Sequence, residues 1–322
     1  MKKVSIITPC YNEEENLEEL HERIHHVMEK LNYDYEHIVI DNASTDRSVE
    51  ILRKLAAKDD RVKVIMNTRN FGHIRSPYYA LLQTTGEAVV CMASDLQDPP
   101  ERIPEFIKKW EQGYKVVIGV KTHSEESSLF FSLRTIYYRI LRNLSDVPLI
   151  ENFTGYGLYD RQVVDALRDL NDPYPYFRGL IADLGYERAQ VEFNQPRRQR
   201  GISKNNFYTL YDLAMLGLTG YTKVPLRLAT MLGFLAAAIS FVVGLVYLLY
   251  KLLFWQQFTL GSAPIVIGLF FLGSIQLFFL GIVGEYIGAI YTQIMKRPLV
   301  IEKERINFYG FPLCRAGIQG LA

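Results

Sequence analysis

Two long uncharged runs near the C-terminus constrain this chain most. Leu228–Tyr250 is 23 residues without a charge, and Ala263–Gly284 is another 22. A bilayer crossing takes about 20 apolar residues, so each run is long enough to span, over roughly 228–250 and 263–287. Soluble core helices are rarely so uniformly apolar. The connection from Lys251 to Ser262 carries one cation. Lys223 and Arg227 precede the first run, and Lys296, Arg297, Lys303 and Arg305 follow the second. By the positive-inside bias both ends lie in the cytoplasm and the short loop outside. The expectation is an integral protein of the inner or plasma membrane with both termini cytoplasmic. Glu285 ends the second run. Buried, it needs a partner; at an interfacial helix end it does not. Gly268, Gly273, Gly281, Gly284 and Gly288 allow close helix contact and hence a homo-oligomer. Before the spans, Phe207, Leu210, Tyr211, Leu213, Ala214 and Leu218 recur at helical spacing. They predict an amphipathic helix over 206–225 lying in the membrane interface, with an ordinary core helix as the alternative. Residues 296–322 read as a cytoplasmic tail, without signal from Glu302 onward.

Residues 1–205 read differently. Short apolar runs (Lys3–Thr8, Tyr35–Ile40, Arg61–Met66, Glu87–Val90, Lys115–Gly119) alternate with helical patterns such as Leu17, Leu20, Ile24, Val27, Met28 and Leu31. Strand–helix alternation predicts an α/β domain with a parallel, doubly wound sheet. Lys and Arg number 36 against 35 Asp and Glu, a net charge of +1 that gives no pull toward nucleic acid. Cys10, Cys91 and Cys314 lie far apart without metal-ligand spacing and read as reduced cytosolic thiols. The apolar run after Met1-Lys2-Lys3 is too short for a signal peptide.

No G-x-G-x-x-G follows the first strand, which removes the dinucleotide fingerprint. Acids and amides collect instead where three strands end: Asn12 and Glu13, Asp41 and Asn42, Asp95 and Gln97. That edge of an open α/β sheet is where ligands bind. Asn12 is a plausible helix N-cap, with Glu13, Glu14 and Glu15 favouring the helix dipole. Asp95, Gln97 and Asp98 stand between Glu87–Val90 and the Pro99-Pro100 pair. Carboxylates there suit Mg²⁺ holding a diphosphate; Asp95 as a polar-turn cap is the alternative.

Thr8-Pro9-Cys10-Tyr11-Asn12-Glu13, Asp41–Asp46, Arg69-Asn70-Phe71-Gly72 and Asp95–Glu101 resemble, in this order, the motif series of family 2 glycosyltransferases with a GT-A, Rossmann-like fold. With the C-terminal spans, the chain resembles the membrane branch that glycosylates polyisoprenyl phosphates. The resemblance implies that Pro9, Tyr11, Glu13 and Asp41 hold the nucleoside of a nucleotide sugar, with Asn12, Asn42 and Arg69 beside them. It implies that Asp95 and Gln97 sit at Mg²⁺ (or Mn²⁺) and the diphosphate. The usual Asp-x-Asp is incomplete, because Ala93 occupies its first position. Residues 121–143 predict a helix whose Arg134, Arg139 and Arg142 form either a solvated basic face or a phosphate clamp. Gln195–Asn206 holds four cations, and serves either as a juxtamembrane cluster or as a loop closing on the diphosphate and lipid phosphate through Arg200, Ser203 and Lys204.

In related enzymes an Asp soon after Thr-Gly acts as the base; here that place is Tyr156, and Asp160 reads as a helix cap. A lipid monophosphate, with a second pKa near ~6, needs no base. A sugar hydroxyl does. The resemblance implies inverting transfer of a sugar from a UDP- or GDP-sugar, and the missing base favours a polyprenyl phosphate as acceptor, with Asp95, Arg200 and Lys204 as the expected catalytic groups. The alternatives are a hydroxyl acceptor, with Asp160 as base, and a non-catalytic membrane scaffold.

Overall fold

The structure is a computed structural model, and it describes residues 1–121, 153–196, 207–254, 262–295 and 297–309. Lys121 ends a strand; the rest of the predicted 121–143 helix, with Arg134, and the cationic segment after Pro196, with Arg200, Ser203 and Lys204, lie outside the described residues.

Eight strands form one sheet: β1 (Lys3–Cys10), β2 (Asp34–Asp41), β3 (Val62–Asn67), β4 (Ala88–Cys91), β5 (Val116–Lys121), β6 (Phe153–Asp160), β7 (Arg188–Phe193) and β8 (Glu302–Ile306). The spatial order is β7-β5-β6-β4-β1-β2-β3-β8. The sheet is mixed, not parallel throughout: β6 runs antiparallel to both β4 and β5, and β8 antiparallel to β3. The reversed β6 still alternates by face, with Tyr156 and Leu158 on one side and Phe153 and Tyr159 on the other.

The helices are α1 (Leu17–Met28), α2 (Ser48–Lys58), α3 (Gly72–Leu82), α4 (Ile103–Glu111), α5 (Arg161–Leu170) and α6 (Phe177–Asp183). Val4 and Ile6 of β1 pack with Leu20 and Ile24 of α1 and Phe106 and Trp110 of α4 on one face. Ile7, Ile38, Ile40 and Ile65 pack with Tyr78 of α3 and Val163 and Leu167 of α5 on the other. Alternate residues of each strand thus feed two helical layers. Helix α1 begins at Leu17 with Asn16 as its cap position, so Asn12 is not the cap and Glu13–Glu15 precede the helix.

Gly157 has no room for a side chain. A Cβ there would lie 2.3 Å from the Val117 carbonyl oxygen and 3.1 Å from Ile118 Cα. These are backbone atoms of the neighbouring strand and cannot swing aside. Gly157→Ala is expected to destabilise the domain by about 2–3 kcal/mol, read as a lowered thermal unfolding midpoint.

Beyond the domain come α7 (Phe207–Tyr221), α8 (Val224–Leu253) and α9 (Ser262–Ile294). Segments Val224–Val246 and Phe271–Ile294 are long and apolar enough to cross a membrane, and neither is buried in the protein. A soluble core helix would be covered, so the exposed apolar surface needs another apolar medium. Glu285 has a partner: Tyr211 of α7 donates to it at 2.8 Å, and Tyr286 donates to the Thr222 carbonyl at 2.6 Å. After the hairpin the chain returns to the sheet. Strand β8, expected only as part of a tail, pairs with β3 and carries a buried Arg305–Glu302 ion pair (2.5 Å), with Arg305 also donating to Tyr79 and Gln83.

Candidate active site

Register brings three strand ends together. Cys10 pairs with Asp41, and Ile7 with Cys91, so β1, β2 and β4 finish at one edge. Their following loops bind each other. Asn12 sits at φ 57° and clasps the next loop: its N–H donates to Ser44 Oγ (2.9 Å), and its side-chain oxygen accepts from the Thr45 N–H (2.7 Å). The Glu13 N–H donates to Ser48 Oγ, while its carboxylate accepts from Asn16 Nδ2 at 2.7 Å. Ser94 Oγ donates to the Pro9 carbonyl, tying the third loop to the first.

Asp41 is only 1 % exposed. Its Oδ2 accepts from the Ser44 N–H (3.1 Å), and its Oδ1 is buried without a hydrogen-bond partner. Burial pushes its carboxyl above the usual range, against the hydrogen bonds from Ser44. A buried orphan oxygen is costly unless a ligand satisfies it. Asn42 differs. Its Oδ1 accepts from Asn67 Nδ2 (3.1 Å) and the Phe71 N–H (2.9 Å), and its Nδ2 donates to Asn70 Oδ1 (2.8 Å). Both ends of the amide therefore hold the loop that leads into α3. Asn42→Ala leaves buried donors unpaired, each costing ~1–3 kcal/mol. It should destabilise the domain and speed amide hydrogen exchange over residues 67–72. Arg69 is exposed, its guanidinium 4.1 Å from the Phe71 ring centroid.

In the third loop Asp95 is half-buried, and its Oδ1 accepts from the Gln97 N–H at 3.2 Å. Gln97 donates from Nε2 to the Pro196 carbonyl (3.2 Å), so this loop touches the residue that enters the cationic segment. Asp98, which sequence reasoning placed at this edge without giving it a site role, is 6 % exposed and accepts from the Ala93 N–H at 2.9 Å. Its carboxyl is pushed up to about 6 by burial and by the charge of Asp95, against the Ala93 hydrogen bond and Lys121.

Tyr156, which stands where related enzymes carry the base, and Asp160, the candidate base for a hydroxyl acceptor, are both engaged elsewhere. Tyr156 is buried and donates to the Pro99 carbonyl at 2.5 Å. Asp160 sits at the opposite sheet edge, paired with Ala88 where β4 begins, because β6 runs backwards. It caps α5 through the Gln162 N–H and accepts from Trp110 and Lys115. The capping role expected of Asp160 holds, and a catalytic one does not.

Next to the third loop is a cleft of about 240 Å³, walled by α3 and α6 and floored by Ile7, Cys91 and Met92. Its residues span positions 7 to 178, a separation over which sequence periodicity carries no information.

Residues 5–168 match the family described as Glycosyl transferase family 2, and residues 224–290 match the GtrB C-terminal hairpin. The chain is 38 % identical to an uncharacterized glycosyltransferase, YkcC, of Bacillus subtilis over 92 % of both chains. It is 32 % identical to the bactoprenol glucosyl transferase of Shigella phage SfX over 94 % of this chain and 99 % of that one. Among solved structures, it is similar to the glucosyl-3-phosphoglycerate synthase of Mycobacterium tuberculosis, solved with Mn²⁺, UDP-glucose and phosphoglyceric acid. That likeness has 19 % identity and a TM-score of 0.45, covering 68 % of this chain and 78 % of the other. This chain belongs to glycosyltransferase family 2, and its mixed α/β domain agrees with the expected GT-A architecture.

Proposed function

We propose that the protein moves a sugar from a nucleotide sugar to a polyprenyl phosphate on the cytoplasmic face of the membrane. The observation that carries the choice of acceptor is the fate of the segment 153–160. Tyr156 is spent on Pro99, and Asp160 lies at the far edge, so this segment offers no base at the site. A phosphate monoester, largely dianionic at neutral pH, attacks unaided, whereas a hydroxyl must lose a proton. The name of the phage relative, a bactoprenol glucosyl transferase, points the same way.

In this reading the phosphate oxygen attacks the anomeric carbon. The bond from that carbon to the nucleoside diphosphate breaks, the diphosphate departs with the electron pair, and configuration inverts. Asp41 binds the nucleoside through its unpartnered oxygen, with Pro9, Tyr11 and Glu13 around it. Asn12 and Asn42 hold the loops in register, and Arg69, Arg134, Arg200, Ser203 and Lys204 serve the phosphates. Asp95 and the carbonyl oxygen of Gln97 would hold Mg²⁺ or Mn²⁺. The donor set fits, since Mg²⁺ takes one or two carboxylates and completes its shell from phosphate and water. When bound, the metal neutralises charge on the leaving diphosphate. Most of the acceleration comes from holding two anionic substrates in line. The cations flanking the hairpin support a cytoplasmic position for its ends and for the sheet that β8 rejoins.

The test is nucleoside diphosphate release by the detergent-purified protein, with a panel of UDP- and GDP-sugars and either undecaprenyl phosphate or undecaprenol. Release that requires the phosphate is expected. Release with undecaprenol instead would favour a hydroxyl acceptor, for which Asp98 is the carboxylate lining the cleft.

A further inference from the structure

The cleft beside the third loop is too small for a whole donor. Its volume of about 240 Å³ falls below the ~300–1,000 Å³ of sites that enclose drug-sized ligands. It is also the wrong chemistry for a sugar, whose hydroxyls each need a polar partner. Ile74, Pro77, Tyr78, Leu81, Tyr176 and Phe177 make up most of its wall. Its few polar side chains are Asp98 at the third loop, Thr154, and the pair His73 and Arg178. His73 is exposed to solvent, and Arg178 lines the same cleft from α6.

Position adds a second argument. One end of the cleft reaches Pro9 and Ala93, between the first and third loops of the proposed donor edge. The wall that carries Tyr176 and Phe177 is fastened to the membrane part. The Tyr176 ring lies 5.8 Å from that of Tyr221, which ends α7. Gly179 follows, and a Cβ there would fall 2.4 Å from the Tyr221 ring, so α6 is seated directly on α7. Just upstream, Asp172 accepts from Gln293 of α9 at 2.9 Å. An apolar slot therefore runs from the reacting edge to a wall bolted onto the hairpin.

Resting on the function proposed above, we infer that this cleft seats the phosphate-proximal prenyl units of the lipid acceptor, with Arg178 and His73 beside its phosphate. The apolar lining takes the hydrocarbon that would otherwise be drawn from the bilayer into water. Arg178 supplies a planar donor set suited to phosphate. The rest of the chain stays in lipid along the hairpin, which is why so small a cleft suffices. The slot thereby orients the phosphate toward the anomeric carbon without enclosing the lipid.

The test uses the full-length protein in detergent, with undecaprenyl phosphate and UDP as separate probes, and two readouts. Ile74→Trp fills the cleft from α3. It is expected to weaken undecaprenyl phosphate binding at least ~10-fold while leaving UDP affinity within twofold, which also reports that the fold is intact. In the unaltered protein, a prenyl phosphate bearing a photoreactive group on its second isoprene should crosslink to residues 73–81 or 175–178. Lipid affinity unchanged in Ile74→Trp, or crosslinks confined to α8 and α9, would overturn the assignment while leaving the proposed reaction standing. A matching loss of UDP affinity, with the crosslinks absent, would hand the cleft to the donor. Failure of the unaltered protein to bind undecaprenyl phosphate would overturn the reaction and the cleft together.

Discussion

Replacing Asp95 with asparagine should lower lipid-dependent transfer by roughly 10²–10³-fold, the usual loss when one group stabilising transition-state charge is removed. The argument is local. Asp95 is half-buried at the meeting point of β1, β2 and β4, and one of its oxygens already positions the next turn through the Gln97 N–H. An asparagine oxygen can keep that bond, so the loop survives while the charge goes. Ala93 stands where the family pattern usually supplies a second carboxylate. Among the described residues no group of three or more His, Cys, Asp or Glu side chains gathers around a metal position. In the proposed reaction one carboxylate would therefore carry most of the protein's share of binding a hard cation, and its loss should be felt in full. Mn²⁺ binding in the presence of UDP, followed by electron paramagnetic resonance, should weaken in parallel with turnover. Retained Mn²⁺ affinity in Asp95→Asn would remove Asp95 from the metal role.

The largest stability effect should come from Glu36, far from the site. Its side chain is 1 % exposed, and it accepts from Lys63 (2.6 Å), Ser5 (2.5 Å), the Thr85 N–H (2.8 Å) and Lys3 (3.2 Å). Burial alone would raise its pKa, but these donors outweigh burial and hold it at about 2. The folded pKa is thus depressed below the ordinary 4.5. Its contribution is fully present above pH ~4.5 and is lost as pH falls toward ~2, because the unfolded chain takes up the proton first. A shift of this size is worth about 3 kcal/mol. His37 acts in the same direction over an earlier window. Burial and neighbouring His21 lower it to about 3, so the folded ring stays neutral where the unfolded one would charge, and stability falls as pH drops below 6.5. Glu36→Gln strands two lysines around a neutral amide and should lower the thermal midpoint at pH 7 by about 6–12 °C. It should also erase the component of acid sensitivity between pH 4.5 and 2. An unchanged midpoint at pH 7 would contradict this account.

The sequence was informative where burial imposes a period. Val4, Ile6, Ile38, Ile40, Val64 and Val90 are fully buried because their strands are covered on both faces, and such runs are legible without a fold. The hydrophobic hairpin was legible as well, as two uniformly apolar runs long enough to cross a membrane. Strands β6 and β8 were not. Thr154-Gly155-Tyr156-Gly157 breaks the apolar run, and Glu302-Lys303-Glu304-Arg305 has no apolar face at all. Strand β8 is held by partners far away in sequence, including Arg53 to Glu304 and Asn307 to the Ala56 and Val62 carbonyls. Missing β6 had a chemical consequence, since only its reversed direction reveals that Asp160 lies at the wrong edge. At the candidate site, motif spacing singled out three loops that the structure gathers at one sheet edge, but did not reveal which way side chains are committed. Asn12, Glu13 and Asn42 are largely taken up with loop-to-loop bonds, whereas Asp41 keeps an oxygen without a partner.

The most direct measurement of the central claim is the chemical identity of the lipid product. The protein would be incubated with undecaprenyl phosphate, a divalent cation and the donor that supports release, and the organic phase examined by mass spectrometry before and after mild acid. A polyprenyl phosphate heavier by one sugar, returning to undecaprenyl phosphate with mild acid, is the predicted result, because a sugar joined through phosphate leaves readily from its anomeric carbon. Free sugar with unmodified lipid, or a sugar joined through an acid-stable link to a hydroxyl, would contradict it.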